Sequence, residues 1–395
     1  MQVKIKIGVF FGGQSVEHEV SIISALQAVN NFDRSKYDII PIYITKGNEF
    51  YVGEKIGDIE AYKNIPSLLK KSQKVILVNE NEKLNLIKYP MKKFGSNIYD
   101  YIDIAFPIVH GTNVEDGTLQ GYLKTLRIPF VGCDVMASAS GMDKYVMKTI
   151  LKDNDIPVLD CCRSDRRHYQ GDTVAFLDKV EALIGYPVIV KPINLGSSVG
   201  IRKANDRETL EDALDYAFQF ANNVLVEKAI QNLREINCSV LGDYEEAVAS
   251  ECEEPISSDE ILSYEDKYLS GEKNSGSKGM SSTKRKLPAD IPADMKAEIQ
   301  RLAVKTFQAL NCNGVSRIDF MLDVEENKVW VNEINTIPGS LAFYLWEASG
   351  VKYKDLLDRL VKLALKRERE NKDITYSFDT NILSGVKLGG MKGKL

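Results

Sequence analysis

The chain has 395 residues, of which 44% are hydrophobic and 27% charged, and its formal net charge is −5. This length exceeds what one hydrophobic core usually supports, so two or three domains of an ordinary globular protein are expected. The charge balance argues against a nucleic-acid partner, and no apolar run approaches the roughly 20 residues needed to span a membrane.

The N-terminal segment predicts a parallel α/β unit. Residues 3–11 have the apolar pattern of a strand, a Gly-Gly turn and a helix to residue 28 follow, and residues 37–45 predict the next strand. A helix between two such strands is typical of a βαβ unit with a parallel sheet. The segment has no small-residue cleavage site of a signal peptide. The six cysteines lack metal-ligand spacing, so we expect free, buried thiols and a cytoplasmic protein.

Three polar residues fall where predicted strands end. A buried strand over residues 102–109 leads to a polar loop and a helix over residues 117–126. In open α/β sheets, functional groups gather beyond the carboxyl ends of the strands, and Glu17, His110 and Glu115 lie at such places. Each also has a structural interpretation: the glutamates could meet a helix dipole, and His110 could be a buried, hydrogen-bonded histidine.

A Gly/Ser loop behind a lysine is a candidate phosphate site. A predicted strand ends in Lys191, and residues 194–200 form a loop that contains Ser197 and Ser198. Small residues let backbone N–H groups close on an anion, and serine hydroxyls add donors. A flanking lysine can reach the same phosphates. The loop lacks the residue order of a Walker A motif, and a plain hairpin turn is the alternative interpretation.

The strand predicted over residues 224–230 is apolar on both faces but carries Glu227. A buried carboxylate needs a hydrogen-bond donor, and a ligand amine or hydroxyl could supply it. Lys228 and Ile230 would then line the same groove. Further on, residues 257–287 form a polar segment inside a domain. Such a segment is either a functional lid or disordered, and as a lid it would exclude water from a phosphate site.

Residues 314–337 predict a β-hairpin of two strands joined by a Glu-Glu-Asn turn. Residues two apart share a face, so Arg317 lies beside Asp319 and Glu333 lies beside Asn335. Paired across the hairpin, the two carboxylates and the amide could bring three oxygen-bearing groups to one point, next to a guanidinium. Oxygen ligands without Cys or His are typical of Mg²⁺. A solvated strand face is the alternative.

Eight motifs in order make the chain resemble the D-alanine–D-alanine ligases of the ATP-grasp superfamily. They are FGGQSVEHEVS, VHGTNVEDGTLQG, MDK, VIVKP followed by GSSVG, LVEKAI, EDKYLS, SRIDFMLD and NEINTIPG. The resemblance implies an α/β fold with a three-domain ATP-grasp architecture whose N-terminal domain has a Rossmann-like parallel sheet. The expected segments are a substrate-binding domain (1–132), a central ATP-grasp domain (133–224), a C-terminal ATP-grasp domain with the metal site (225–370) and a basic, Gly-rich tail (371–395).

The resemblance also implies an activity. ATP would phosphorylate the carboxylate of one D-alanine, and the amine of a second would attack the acylphosphate to give D-alanyl-D-alanine for peptidoglycan. The expected cofactors and substrates are ATP, D-alanine and Mg²⁺, with two ions bound and Mn²⁺ as an alternative. A cytoplasmic homodimer is the expected assembly.

The matched motifs assign roles to individual residues by the same resemblance. The first substrate and the reacting groups would be held by Glu17, Ser197, Tyr268, Arg317 and Gly339. ATP would contact Lys144, Lys191, Ser198, Glu227, Lys228, Ile230, Glu235 and Lys267. The metal ligands would be Asp319, Glu333 and Asn335, and the second substrate would lie near His110, Ser340 and Tyr344.

The run after Pro338-Gly339 departs from the family pattern. Family members typically end this run in Ser-x-Ser, whereas here it is GSLAFYLWE, so either Ser340 or Tyr344 would supply the hydroxyl for the second substrate. The pair Lys267-Tyr268 favours D-alanine there. The alternatives are a ligase for D-serine, D-lactate or another amino acid, and a non-catalytic nucleotide-binding paralogue. No predicted ligand carboxylate is missing, which weighs against the paralogue.

Overall fold

Three β-sheets organise the part of the chain that the computed structural model describes, residues 4–80, 83–196, 199–256 and 285–377. All six cysteines are free thiols, five of them buried and Cys161 half-buried, as predicted. Within the described residues, no helix combines the length and the apolar character that crossing a bilayer requires.

The N-terminal unit is a mixed α/β layer. Its strands are β1 (Ile5–Gly12), β2 (Tyr37–Ile44), β3 (Phe50–Val52), β4 (Gln73–Glu80), β5 (Lys83–Lys88), β6 (Ile98–Ile102) and β7 (Ile104–Pro107), and its helices are α1 (His18–Asn31), α2 (Ile65–Lys70) and α3 (Thr118–Thr125), with two 3-10 helices over Glu54–Gly57 and Ile59–Asn64. The strand order is β6-β5-β4-β3-β2-β1-β7. The pairs β1–β2 and β1–β7 are parallel, which confirms the predicted βαβ unit, and the remaining neighbours are antiparallel.

The turn after β1 requires glycine. Gly12 has φ of +99°, and a Cβ there would lie 2.3 Å from the Ile44 carbonyl oxygen. The Gly12 N–H donates to the Ser21 hydroxyl (2.8 Å), and this hydroxyl donates to the Ile108 carbonyl (2.6 Å). Helix α1 is therefore anchored at the carboxyl ends of β1 and β7.

The middle unit is an antiparallel sheet with its own core. Its strands are β8 (Cys161–Asp165), β9 (Val188–Pro192), β10 (Arg202–Ala204) and β11 (Asn223–Lys228), and the chain between Asp165 and β11 carries α6 (Arg166–Gly171), α7 (Thr173–Leu183) and α8 (Arg207–Ala217). The order is β10-β9-β11-β8. Val190, Leu214 and Val226 belong to its core. Because β11 pairs with both β8 and β9, we place the end of this unit after Lys228 rather than at residue 224.

The third unit is a five-stranded antiparallel sheet. Its strands are β12 (Leu233–Gly242), β13 (Ala247–Pro255), β14 (Arg285–Lys286), β15 (Gly314–Asp323) and β16 (Lys328–Asn335), in the order β14-β13-β12-β15-β16. Helices α4 (Val135–Met142), α5 (Lys144–Asp153) and α9 (Ala293–Ala309) contribute to its core, for example through Met147, Leu151 and Phe307. The apolar side chains between Cys133 and Val158 thus belong to the core of this unit and not to that of the four-stranded sheet.

The C-terminal helices join the first and third units. After a short 3-10 turn (Gly339–Ala342) come α10 (Phe343–Ala348) and α11 (Tyr353–Lys372). Leu356, Leu360 and Val361 of α11 lie in the core of the N-terminal sheet. The Arg367 guanidinium donates to the Gly132 carbonyl (2.7 Å). The four-stranded sheet is therefore the one unit of the described chain whose core is separate from both neighbours.

Candidate functional site

A cavity of about 310 Å³ lies where the three units meet. The N-terminal unit contributes Glu17, Val20, His110, Gly111 and Glu115 to its lining. The four-stranded sheet and the connection that follows it contribute Lys191, Glu227, Lys228 and Ile230, and β12 contributes Glu235. The β15–β16 hairpin and the residues after it contribute Arg317, Asp319, Glu333, Asn335 and Gly339. Residues predicted from separate motifs thus line a single cavity.

The hairpin brings its polar residues together as the alternation predicts. In the strand register Asp319 is opposite Glu333, and Arg317 is opposite Asn335. The Arg317 guanidinium donates two hydrogen bonds to the Asp319 carboxylate (2.6 and 2.7 Å). The Asn335 amide donates to the same carboxylate (3.1 Å). The structure therefore rules out the solvated-face interpretation, since these side chains line the cavity.

The predicted metal ligands offer oxygen atoms only. Asp319 and Glu333 supply carboxylates and Asn335 an amide, a donor set that suits Mg²⁺. In the described part of the chain, no group of three or more His, Cys, Asp or Glu residues could hold a metal ion. An ion here would therefore need the amide oxygen of Asn335 as well as the two carboxylates.

The buried carboxylate of Glu227 is paired with two lysines. Lys148 lies 2.9 Å from one carboxylate oxygen, and Lys191 contacts the other. Burial alone would raise the pKa of Glu227, but the two ammonium groups outweigh it and lower this pKa to about 2. Burial disfavours the charged form of Lys191 as well, and for an ammonium group this lowers the pKa. The sequence suggested a ligand amine or hydroxyl as one partner that would serve Glu227, and the structure shows Lys148 and Lys191 beside its carboxylate.

Sequence reasoning missed Lys148, although a signal for it existed. Lys144 and Lys148 are four residues apart at the start of α5, so they lie on one helix face. Asp143 caps this helix by accepting from the N–H groups of Tyr145 and Val146. Lys144 in turn donates to the Leu195 carbonyl (2.9 Å) and lies 3.1 Å from the Glu333 carboxylate.

The predicted nucleotide-contacting residues differ in where their side chains go. Lys228, Ile230 and Glu235 all line the cavity. The Lys228 ammonium, however, donates to the Tyr186 carbonyl (2.7 Å), so it braces the neighbouring strand connection. What this position offers a ligand is then mainly its backbone at the end of β11.

His110 is a hydrogen-bonded histidine that also lines the cavity. Its Nδ1 lies 2.9 Å from the Ile337 carbonyl and its Nε2 lies 3.0 Å from the Ser24 hydroxyl. Burial lowers the pKa of His110, so the ring is neutral. Because a carbonyl can only accept, Nδ1 carries the proton and Nε2 accepts from Ser24. His110 is therefore a buried, hydrogen-bonded histidine, as the structural interpretation expects, and it also lines the cavity.

The two glutamates of the N-terminal unit both line the cavity, and Glu17 also lies at the N-terminus of α1, as the helix-dipole interpretation expects. Glu17 precedes α1 without a side-chain capping bond, and its carboxylate lies at the cavity. The Glu115 carboxylate accepts from the backbone N–H groups of Gly111 (3.1 Å) and Ile337 (3.0 Å). Burial and, secondarily, the charge of Glu17 raise the pKa of Glu115 to about 8. Glu115 and His110 thus grip both backbone groups of Ile337, a clamp that the sequence did not predict.

Ser340 and Tyr344, one of which is predicted to offer its hydroxyl to the second substrate, both donate that hydroxyl to protein side chains in this structure. Ser340 is 1% exposed, and its hydroxyl donates to Gln27 (2.7 Å). The Tyr344 hydroxyl donates to Glu253 (2.8 Å). Neither is among the described residues that line the cavity. The physical reason for Ser340 is a left-handed turn, in which residues 340–342 have φ between 50° and 55°, that directs this side chain toward α1.

Four predicted residues lie outside the described ranges. These are Ser197 and Ser198 of the Gly/Ser loop, and Lys267 and Tyr268 of the polar segment. Their proposed roles stay predictions.

Comparison with known proteins identifies relatives of the whole chain. Family models described as the D-ala D-ala ligase N-terminus and C-terminus match residues 6–133 and 150–362. The chain is 40% identical, over 98% of its length and 99% of the relative's, to the D-alanine–D-alanine ligase of Thermosipho melanesiensis.

Solved structures agree with this. The D-alanine–D-alanine ligase of Coxiella burnetii aligns with a TM-score of 0.77 at 32% identity, covering 93% of this chain and 96% of that one. The D-Ala:D-Ser ligase VanG of Enterococcus faecalis aligns with a TM-score of 0.76 at 32% identity, covering 92% and 100%.

Proposed function

Since the chain belongs to the D-alanine–D-alanine ligase family, we propose that its cavity activates one D-alanine with ATP and joins it to a second. The protein is an ATP-dependent, ADP-forming ligase. The observation that carries the site assignment is the meeting of Lys191, Glu17 and the Arg317–Asp319–Glu333–Asn335 group around one cavity. Residues suited to bind phosphate, an amine and a metal ion therefore line the same cavity, in which ATP and D-alanine would bind together.

The nucleotide end supplies positive charge. A carboxylate is a poor electrophile, and transfer of a phosphoryl group to it needs positioning and charge neutralisation rather than covalent help. Lys144 and Lys191 are buried at the cavity wall and are suited to contact phosphate oxygens. Glu227, the backbone at Lys228 and Ile230, and Glu235 would contact the adenosine. Ser198 and Lys267 would complete the phosphate contacts.

Asp319, Glu333 and Asn335 would hold two Mg²⁺ ions, with Mn²⁺ as the alternative metal. When bound, the metal neutralises phosphate charge. Contacts of the two carboxylates with neighbouring cationic side chains support this role. Arg317 fixes Asp319 through two hydrogen bonds, and Lys144 lies beside Glu333.

At the substrate end of the cavity, the two amino acids would contact residues of different charge. Glu17 would bind the ammonium of the first D-alanine, with Ser197 and Tyr268 closing this site. Attack by the second amine puts negative charge on the carboxyl oxygen, and Arg317 and the Gly339 N–H would stabilise it. Loss of one such donor costs on the order of 3 kcal/mol in the transition state. His110, neutral and fixed by Ser24 and Ile337, would shape the second site without donating charge.

We propose D-alanine as the second substrate, in a cytoplasmic homodimer that supplies the dipeptide for peptidoglycan. The curated relatives named D-alanine–D-alanine ligase support this choice. The structural likeness to a D-Ala:D-Ser ligase makes D-serine the competitor to test. A silent paralogue is disfavoured because every predicted metal ligand is present and lines the cavity.

The test is ADP formation by the purified full chain with ATP, MgCl₂ and D-alanine, with the product identified by mass spectrometry. We expect D-alanyl-D-alanine, one ADP per dipeptide and no turnover with L-alanine. ADP formation that does not depend on a D-amino acid would refute the proposal. A mixed dipeptide as the main product from equimolar D-alanine and D-serine would reassign the second substrate.

A further inference from the structure

Lys148 is a buried lysine outside the cavity that the proposed roles leave unused. Lys148 lies on α5 and is 1% exposed, and it is not among the described residues that line the cavity. Within the described ranges, the one carboxylate at ion-pair distance from its ammonium is that of Glu227, at 2.9 Å. Burying an ammonium group is costly unless a partner compensates it. The position of Lys148 therefore depends on Glu227, and that of Glu227 on Lys148.

The second lysine of this cluster has other partners. The Lys191 ammonium contacts Glu227 and also donates to the Asn332 amide oxygen (3.1 Å). It lines the cavity, where it is assigned to phosphate. A lysine that turns toward phosphate weakens its hold on Glu227. Lys148 does not line the cavity, and its ion pair is with the other oxygen of the Glu227 carboxylate.

An ionised carboxylate only accepts hydrogen bonds, and its two oxygens offer about four acceptor positions. Glu227 can therefore receive an N–H from a ligand in the cavity while both lysines are bound. Beside C6 of a purine, such an acceptor would favour the 6-amino group of adenine and repel the 6-oxo group of hypoxanthine. A protonated or rotated Glu227 would lose this distinction.

We propose that Lys148 is a positioning residue that holds Glu227 as an oriented acceptor and so sets the preference of the enzyme for adenine over a 6-oxopurine. This inference rests on the proposed function, because it takes the cavity to be the ATP site. It goes further by naming a residue that does not touch the nucleotide as the determinant of base selectivity.

The test compares ATP with ITP in D-alanine-dependent nucleotide hydrolysis by the full-length wild type and Lys148→Met. We expect the wild type to have the higher kcat/KM with ATP, and the variant to lose about tenfold of that ATP-over-ITP ratio. The KM for D-alanine should stay within about twofold, which a general loss of packing would not predict. An unchanged ratio in an active variant overturns the inference.

Lys152→Met is the matched control. Lys152 lies one turn further along the same helix and pairs with Asp160 at an exposed site (2.6 Å). Its replacement should leave the ATP-over-ITP ratio unchanged, and a loss equal to that of Lys148→Met would overturn the inference.

A double variant guards against misfolding of the single one. Lys148→Met combined with Glu227→Gln removes the ammonium and the carboxylate of this ion pair together, so neither charge is left buried without the other. If Lys148 acts through Glu227, the double variant and Glu227→Gln alone should have the same ATP-over-ITP ratio, and a further loss in the double variant overturns the inference. Failure of the proposed function is a different result, namely a wild type without D-alanine-dependent ADP formation.

Discussion

The β15–β16 hairpin and the left-handed turn that follows it are neighbours in sequence but are held by different interactions. In the hairpin, the Asp319 carboxylate accepts from Arg317 of the same strand and from Asn335 of the adjacent strand. The turn is held by a distant helix, through the hydrogen bonds of Ser340 to Ser24 and Gln27 of α1. The hairpin therefore follows from a local pattern, whereas the turn exists only in the assembled protein.

The turn is also the more strained of the two regions. Residues 340–342 are not glycine, yet all three have left-handed backbone angles, which cost roughly 1–2 kcal/mol each. Ser24 links them to the site, because its hydroxyl accepts from the Ser340 N–H (2.9 Å) and donates to His110. We infer that α1 maintains the strained conformation next to Gly339. Four substitutions test this contrast.

The largest effect is expected in the hairpin, from Arg317→Met. Loss of the guanidinium removes a proposed oxyanion donor and the bidentate partner of Asp319. We expect kcat to fall at least 100-fold, about 3 kcal/mol, in the ADP-release assay. The control Arg301→Met breaks an exposed pair with Glu298 and should change kcat less than twofold. A loss below tenfold for Arg317→Met would contradict its assigned role.

Ser24→Ala tests the anchor of the turn. The variant leaves the buried Ser340 N–H without its acceptor and His110 without its donor. We expect a loss of about 1–3 kcal/mol in the free energy of unfolding, measured with denaturant, together with a lower kcat/KM for D-alanine. Ser140→Ala, at a half-buried position of α4 where the hydroxyl bonds only to carbonyls of its own helix, is the control and should be close to neutral. If Ser24→Ala is destabilised but its kinetics are unchanged, the turn stabilises the fold without contributing to catalysis.

Glu115→Gln tests the clamp at Ile337, which lies between the two regions. Burial raises the pKa of Glu115 from 4.5 to about 8 in the folded protein, so the folded state keeps a proton that the unfolded state has released. Glu115 therefore contributes stability below pH 4.5 that is lost as the pH rises toward 8. We expect the unfolding free energy of the wild type, minus that of the variant, to fall between pH 5 and pH 8. The lowered pKa of His110 affects both proteins and cancels from this difference. A difference that is independent of pH would contradict the prediction.

The smallest effect is expected from Gln27→Met. The Ser340 hydroxyl loses its acceptor, while the backbone bond of Ser340 to Ser24 remains. We expect a loss of about 1 kcal/mol in unfolding free energy and little change in kcat. Gln308→Met, at an exposed position of α9, serves as the control. A loss as large as that of Ser24→Ala would mean that the side-chain bond, and not the backbone bond, anchors the turn.

Much of the site was readable from the sequence because its parts are local. Alternation predicted the shared faces of the hairpin, and its first strand begins at the predicted residue, Gly314. The second strand ends at Asn335, two residues earlier than expected, because Ile337 is bound by His110 and Glu115 instead of by a strand partner. The buried strand carrying Glu227 was likewise recognised, but the pairing of Glu227 with Lys148 and Lys191 was not.

The sequence by itself determined the strands, the helices and the family, because these follow from side-chain periodicity, turn residues and motif order along one stretch of chain. Only the tertiary structure decided the direction of the Ser340 side chain, the pairing of Glu227 with Lys148, and the clamp at Ile337. These contacts join residues far apart in sequence, 316 positions for Ser340 and Ser24 and 222 for Ile337 and Glu115. Their hydrogen bonds and ion pairs stabilise a conformation that none of the separate segments favours alone, and no local pattern could therefore reveal them.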